Sequence, residues 1–185
     1  TLFRSPQRTA NEILRVLDES DEPFKIAFNE NNVVFYREGF LLMTRLIEGQ
    51  YPVYEQVIPQ SFSTFINIKT STLGEILERA RTMPGDDSLK MQYIQLTVAN
   101  NELRINAYSE LMGELDERVE EVDIEGEQDQ KISFNTNYFL DAVRVMQTES
   151  EDIQLKLSGT LGPAMIQNPA NEKYIYILVP LRTSN

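Results

Sequence analysis

The sequence contains no cysteine and no histidine among its 185 residues. Without sulfur and imidazole it cannot form disulfides, thiolate nucleophiles, Ser-His-Asp or Cys-His catalytic arrangements, or the usual zinc sites. An enzyme of this composition would depend on carboxylate pairs, lysine, tyrosine or a hard-metal site of oxygen ligands. Most common catalytic chemistry is therefore excluded.

Long apolar runs are also absent. The longest, such as "YIYILVPL", are far too short to span a bilayer, and no charged start is followed by an apolar block and a small-residue cleavage site. The hydrophobic content of 41% is enough for the core of one domain, or one and a fraction. We therefore expect a soluble, globular, cytoplasmic protein.

Negative charge is concentrated in one segment. Residues 110–129 hold ten acidic residues and one basic residue, so this segment carries −9 of the formal net charge of −12. A run of this kind is typical of a solvated face, or of an edge strand kept from pairing by like charge. A calcium loop needs alternating oxygen ligands, a central glycine and a closing glutamate, and "DIEGEQDQ" does not supply that spacing.

Two enzyme signatures are missing as well. General acid and base catalysis needs two carboxylates in a sheltered cleft with separated pKa values, and carboxylates spread along twenty residues provide no such pair. A phosphate-binding loop is also lacking, because "SGTLGP" does not end in Gly-Lys-Ser/Thr. We therefore predict no catalytic residues, no cofactor and no metal.

The sequence repeats one unit three times, each a helical pattern followed by three alternating strands. The helical patterns lie at 6–19, 72–83 and 135–148, and the hairpins "FKIAFNENNVVF", "IQLTVANNELRI" and "IQLKLSGTLGPAMI" follow them. In the first two helices the residues at helical spacing are Ala10, Ile13, Leu14 and Leu17, and Leu73, Ile76, Leu77 and Ala80. Such units pack on their neighbours. The pattern predicts an α+β fold with helices on one face of antiparallel sheets, in which the second and third copies form one pseudo-symmetric domain.

Three motifs in order resemble the bacterial DNA sliding clamp family, the β subunit of DNA polymerase III. "LIEGQYPVYEQVIP" (46–59) has the family's strand, glycine, aromatic-Pro-x-Tyr and Val-x-Pro. "FNTNYFLD" (134–141) has its Phe-Asn-x-x-Tyr-x-x-Asp, and "YILVPLR" (176–182) its closing Pro-apolar-Arg strand. Together with the repeats, these motifs cover almost the whole chain.

The resemblance implies the DNA-clamp fold and a division of the chain. Residues 1–49 would be the second half of the middle clamp domain, 50–59 the connector between domains, and 60–185 the last domain. The chain would hold three of the family's six repeats. "TLFRS" at the start does not resemble family sequence and is expected to be an artificial addition or a disordered lead, whereas the polar tail Thr183-Ser184-Asn185 follows the family's usual end.

The resemblance also implies a processivity factor that encircles duplex DNA without reading its sequence. Helices would line the hole and meet the phosphates through arginines. The candidate DNA-facing residues are Arg8, Arg15, Arg79, Arg81 and Arg144. The alternative is that these are ordinary solvated helix arginines, balanced by Glu12, Glu75, Glu78 and Asp141, and the sequence leaves both readings open.

A peptide-binding groove is the second implied site. In the family, polymerases, the clamp loader and repair proteins insert a short motif, glutamine followed by leucine and a terminal aromatic or leucine, between the middle and last domains. The matching positions are Pro52, Gln56, Val57, Asn135, Tyr138, Leu161, Pro163, Ile177, Val179, Pro180, Leu181 and Arg182. Gln56 stands where many relatives carry a basic residue. Without the resemblance, Pro52 and Val57 would be read as linker anchors, and Val179 and Leu181 as edge-strand core.

Assembly is the third implication. Clamp rings close as homodimers, and Thr82 and Met83 match the family's interface on the last domain. A chain that lacks the first domain is expected to be monomeric or weakly associated. The alternative class is an adaptor protein without a DNA role, built from the same repeats and with an apolar peptide groove.

Overall fold

The computed structural model describes residues 3–17, 23–51, 53–84 and 91–182. The chain divides into two compact units, Thr1–Val53 and Tyr54–Asn185. Within the described ranges, no helix is long and apolar enough to cross a membrane.

The first unit is one copy of the predicted repeat. Its elements are α1 (Gln7–Val16), β1 (Lys25–Phe28), β2 (Asn32–Arg37) and β3 (Phe40–Arg45), and the three strands form an antiparallel sheet in the order β1-β2-β3. Val33 and Phe35 are the buried apolar residues among those described in this unit. Leu14 and Leu17, expected on the packed face of α1, are exposed.

The start of the chain is held by specific contacts. The Arg4 guanidinium donates hydrogen bonds to the carbonyl oxygens of Glu48 at 2.7 Å and Gly49 at 2.6 Å. The Phe3 ring lies 5.3 Å from the ring of Phe28, between centroids. The expectation of a disordered lead is therefore wrong for these two residues, while residues 1–2 lie outside the described ranges.

The second unit holds the other two repeats. Its elements are a 3₁₀ helix (Tyr54–Val57), β4 (Thr64–Lys69), α2 (Thr70–Arg81), β5 (Tyr93–Ala99), β6 (Glu102–Ser109), β7 (Gly113–Val119), β8 (Asp123–Gly126), β9 (Gln130–Asn135), α3 (Thr136–Gln147), β10 (Asp152–Leu157), β11 (Ala164–Asn168) and β12 (Asn171–Leu178).

The two repeats of this unit exchange a strand. One sheet has the order β12-β11-β10-β4-β8 and the other β7-β6-β5-β9, and all their pairings are antiparallel. β4 leads into α2 but pairs with β10, while β9 leads into α3 but pairs with β5. Each repeat thus completes the sheet of the other, and the predicted α+β fold is confirmed.

One core lies between the two helices and the inner faces of both sheets. On α2, Leu73, Ile76, Leu77 and Ala80 are all buried, as their spacing predicts, and α3 contributes Phe139, Leu140, Val143 and Met146 to the same core. Truncating a residue of this kind to alanine costs about 2 to 5 kcal/mol. This core fixes the positions of both helices and of the strands that follow them.

The acidic segment forms edge strands. β7 is the last strand of the four-stranded sheet, and β8 is the last strand of the five-stranded sheet. Like charges on such edges discourage pairing with another chain. The hairpin predicted at "IQLTVANNELRI" is also confirmed. Asn100 and Asn101, between β5 and β6, have φ of 52° and 60°, the left-handed values of a tight hairpin turn.

Candidate functional site

The C-terminal segment crosses from one sheet to the other. β12 ends at Leu178, and three residues later the Leu181 N–H donates a hydrogen bond to the Ser133 carbonyl of β9 at 2.8 Å. β9 runs directly into α3 at Asn135. Residues 179–182 therefore lie beside the start of α3.

Asn135 caps that helix. Its side-chain oxygen accepts hydrogen bonds from the backbone N–H groups of Asn137 at 3.0 Å and Tyr138 at 3.1 Å, which would otherwise lack a partner in the helix. The Tyr138 side chain is 61% exposed. The Phe-Asn-x-x-Tyr motif thus has a local explanation, because the asparagine fixes the first turn from which the tyrosine projects.

Apolar side chains continue this surface along the end of β12. Ala164 pairs with Leu178, so that Pro163 and Val179 follow directly beyond the last pair, and Ile177 pairs with Met165. Val179 is 67% exposed, and Leu161 of the loop before β11 is also exposed. The Ser158 hydroxyl donates to the Pro163 carbonyl at 2.6 Å and holds this loop. Exposed apolar residues gathered at one place are typical of a binding surface.

The remaining groove candidates are placed less directly. Gln56 and Val57 lie exposed on the 3₁₀ helix, and Pro52 lies outside the described residues. Pro180 is partly buried and Arg182 is exposed. The structure thus brings the C-terminal segment together with Asn135, while the contribution of the 3₁₀ helix to the same groove stays a prediction.

Tyr176 is a neighbour of this surface that the sequence did not indicate. Burial, followed by the negative charge of Asp141, raises the pKa of its phenol above the usual value, and Tyr174 and Tyr138 contribute in the same direction. Since Tyr138 and Asp141 are one turn apart on α3, Tyr176 links β12 to that helix. The alternation in "YIYIL" identifies a strand but not which face meets α3.

The candidate DNA-facing arginines form ion pairs. Arg79 Nε and Nη2 donate to the two carboxylate oxygens of Glu117 at 2.6 and 2.7 Å. Glu78 accepts from Arg144 Nε at 3.1 Å and from Arg81 Nη2 at 2.8 Å. These hydrogen bonds lower the pKa of both carboxyls, that of Glu117 through Arg79 and that of Glu78 chiefly through Arg144.

On α1 the arrangement is simpler. Arg15 pairs with Glu12 at 3.0 Å, and Arg8 is exposed. Of the acids expected to balance the helix arginines, Glu12 and Glu78 form close ion pairs and Glu75 lies 4.0 Å from Arg79. Asp141 forms no ion pair among the described residues, and the closest partner of Arg79 is Glu117 of β7. The role of the arginines towards DNA stays a prediction.

The two candidate interface residues differ in accessibility. Thr82 is the C-cap of α2, is exposed, and donates from its hydroxyl to the Arg79 carbonyl at 2.7 Å. Met83 is only 9% exposed and belongs to the hydrophobic core. Its side chain supports the end of α2 from inside, so Thr82 is the more accessible of the two for a partner.

Two family models match the chain in succession. The model described as DNA polymerase III beta subunit, central domain, matches residues 4–53. The model described as DNA polymerase III beta subunit, C-terminal domain, matches residues 55–182.

Curated relatives named beta sliding clamp are similar over nearly all of the chain. The protein of Halalkalibacterium halodurans is 30% identical over 179 residues, which are 96% of this chain and 46% of the relative. That of Bacillus subtilis is 28% identical over 178 residues, with the same two shares. The chain spans about half the length of the curated relatives it matches.

Solved structures agree in fold. The DNA polymerase sliding clamp of Bacillus subtilis superposes with a TM-score of 0.79 at 28% identity, covering 97% of this chain and 46% of that one. The DNA polymerase III beta chain of Streptococcus pneumoniae gives a TM-score of 0.82 at 26% identity, with the same coverage.

Proposed function

Because the chain belongs to the DNA polymerase III beta subunit family, we propose that it is the C-terminal part of a bacterial sliding clamp. The whole protein closes as a homodimeric ring around duplex DNA, without sequence specificity and without catalysis, cofactor or metal, in the bacterial cytoplasm. The observation that carries this proposal is the ordered match of both family models along the chain. A compact-unit boundary after Val53 supports the proposed connector at 50–59, between a partial middle domain at 1–49 and the last domain at 60–185.

The groove binds the partners. A short peptide of the Gln-x-x-Leu-Phe kind, from a polymerase, the clamp loader or a repair protein, lays its apolar end against Val179, Leu161 and Pro163. Its polar end meets Tyr138 and Arg182. The exposed apolar residues beside the capped start of α3 support this placement. Burial of apolar peptide surface supplies roughly 25 cal/mol per Å².

Titration of a labelled peptide tests the groove. Val179→Asp sets a charge against the apolar floor and is expected to weaken binding by tenfold or more, equivalent to about 1.4 kcal/mol. Leu111→Asp is the matched control, because Leu111 is an exposed apolar residue in the turn before β7, at the opposite edge of the sheet from β9. Equal affinity for the wild type and Val179→Asp means that the groove lies elsewhere.

The adaptor alternative shares the groove but not the DNA role. The observation in its favour is that carboxylates already engage the arginines of α2 and α3. The two functions differ in duplex binding, which for a clamp is weak, independent of sequence and steeply dependent on salt. An adaptor binds the peptide and shows no such salt-dependent DNA binding.

A further inference from the structure

The exposed faces of α2 and α3 carry no excess positive charge. Their charged side chains are three acids and three arginines, and the two helices are described throughout. These residues are Glu75, Glu78, Arg79, Arg81, Asp141 and Arg144. A surface that holds phosphates by charge alone has an excess of lysine or arginine. Something other than a strong positive field must govern any contact of this face with DNA.

Glu117 reaches this face from a neighbouring strand. Along β7, Leu115, Glu117 and Val119 point towards the core side, and the cross-strand partner of Glu117 is the buried Ile105. A carboxylate in such an apolar row is costly unless it is paired. The bidentate pair of hydrogen bonds from Arg79 provides that pairing, and the Glu117 side chain is only 27% exposed.

The neighbouring charges of β7 behave differently. Asp116 and Arg118 point to the outer side of the sheet and pair with Arg104 and Glu102 of β6, at 3.1 and 2.8 Å. These ion pairs stay within the sheet. Of the charged residues on β7, Glu117 is the one whose described ion pair extends to α2.

Glu78 of α2, like Glu117, pairs with arginines of this face. One of its oxygens accepts from Arg144 of α3 and the other from Arg81 of its own helix. A single carboxylate thus holds two guanidinium groups from two helices. With Glu117, it engages all three arginines of the face.

We propose that Glu78 and Glu117 compete with DNA phosphates for Arg79, Arg81 and Arg144, and so keep the contact between this face and duplex DNA weak. The inference rests on the proposed clamp function. Each of these arginines uses Nε and Nη2, the edge suited to bidentate pairing, for its carboxylate. To bind a phosphate through that same edge the arginine must leave the carboxylate, so one charge-assisted pair replaces another with little net gain. A ring that stays on DNA because it is closed needs no tight contact, and tight contacts oppose sliding.

The test compares three isosteric amide variants of the 185-residue chain. Glu78→Gln and Glu117→Gln each release arginine, whereas Glu125→Gln changes the net charge equally but lies elsewhere. Glu125 follows the core residue Ile124 in β8, so it faces the outer side of its sheet, away from the helices. The dissociation constant of a fluorescent duplex is measured between about 50 and 200 mM salt.

Glu78→Gln and Glu117→Gln are expected to bind the duplex about two- to fivefold more tightly than Glu125→Gln, in line with the strength of an exposed ion pair. Their salt dependence should steepen by about one phosphate contact for each arginine released. Circular dichroism verifies that each variant is folded. Affinities equal to that of Glu125→Gln overturn the proposal, as does an absence of binding by Glu78→Gln at the lowest salt.

Arg144→Gln separates this inference from the clamp function itself. If Arg144→Gln binds DNA more weakly while Glu78→Gln and Glu117→Gln bind it unchanged, the DNA-facing surface is supported. The proposed competition by the two carboxylates is then ruled out. If none of these variants changes DNA binding, DNA binds another surface, and both the clamp function and the competition proposal are overturned.

Discussion

The side-chain oxygen of Asn135 accepts a hydrogen bond from the backbone N–H of Tyr138 at 3.1 Å. This bond joins the last residue of β9 to the first turn of α3, where Leu181 also reaches the strand. The helix cap and the proposed groove surface therefore depend on the same residue.

Asn135→Ala is expected to cost about 0.5 to 2 kcal/mol of unfolding free energy, because the cap is lost, and to weaken peptide binding. Chemical denaturation and peptide titration measure the two effects. Asn137→Ala is the control, since the described hydrogen bond of Asn137 uses its backbone and not its side chain. Equal losses in the two variants would rule out the capping role.

Tyr138→Ser is expected to lower peptide affinity by about fivefold or more, because an aromatic contact is removed, while leaving stability nearly unchanged. Tyr108→Ser is closely matched, since Tyr108 is 59% exposed at the end of β6. If both serine variants bind the peptide equally well, Tyr138 does not belong to the groove. Thermal melting shows whether either change disturbs the fold.

Gly126→Ala is expected to destabilise the protein more than Gly113→Ala. Both glycines have positive φ, 100° and 88°, which costs an alanine about 1 kcal/mol or more. At Gly126 the added Cβ would also lie 2.1 Å from the Ser63 carbonyl oxygen, whereas at Gly113 it meets nothing within 4 Å. Urea denaturation of both variants compares them, and equal costs would mean that the Ser63 backbone moves away freely.

The pair of Glu117 with Arg79 makes stability depend on acid pH. Because the hydrogen bond from Arg79 holds the pKa of Glu117 below its ordinary value of 4.5, the pair stabilises the fold above that pH. The contribution is lost as pH falls through the lowered pKa. Glu117→Gln should therefore cost at most about 1 kcal/mol at neutral pH, and the difference from wild type should vanish in acid.

Denaturation at a series of pH values measures this difference, with Glu114→Gln as the control on the exposed side of β7. A cost of Glu117→Gln that stays constant down to strongly acid pH would contradict the assignment.

Local periodicity predicted the helices and strands well, but it did not predict burial everywhere. Leu73 and Leu77 are buried as their spacing indicates, while Leu14 and Leu17, at comparable spacing, are exposed. Hydrophobic spacing identifies which side of a helix is apolar. It contains no information about whether another element of the same chain covers that side.

Ion-pair partners that lie far apart in the sequence could not be predicted from local spacing, for a similar reason. The sequence offered Glu75 as a helical neighbour of Arg79, yet the closer carboxylate is that of Glu117, 38 residues away. The groove candidates were found by resemblance, and the capping bond of Asn135 explains the motif physically. Tyr176 was missed because its nearness to Asp141 and Tyr138 depends on how β12 packs against α3, which local spacing does not show.

The exchange of β4 and β9 has a consequence for synthesis on the ribosome. β4 emerges long before its partner β10, and the hydrogen bond from Gln154 to Asn67 joins residues 87 apart. At about 5 to 20 residues per second, that strand waits roughly 4 to 17 s with an open edge. The nascent chain therefore passes through a stage in which the second repeat is complete in sequence but its leading strand has no β10 to pair with. During that interval β10 does not yet cover this edge, so its protection from pairing with other chains depends on other molecules in the cell.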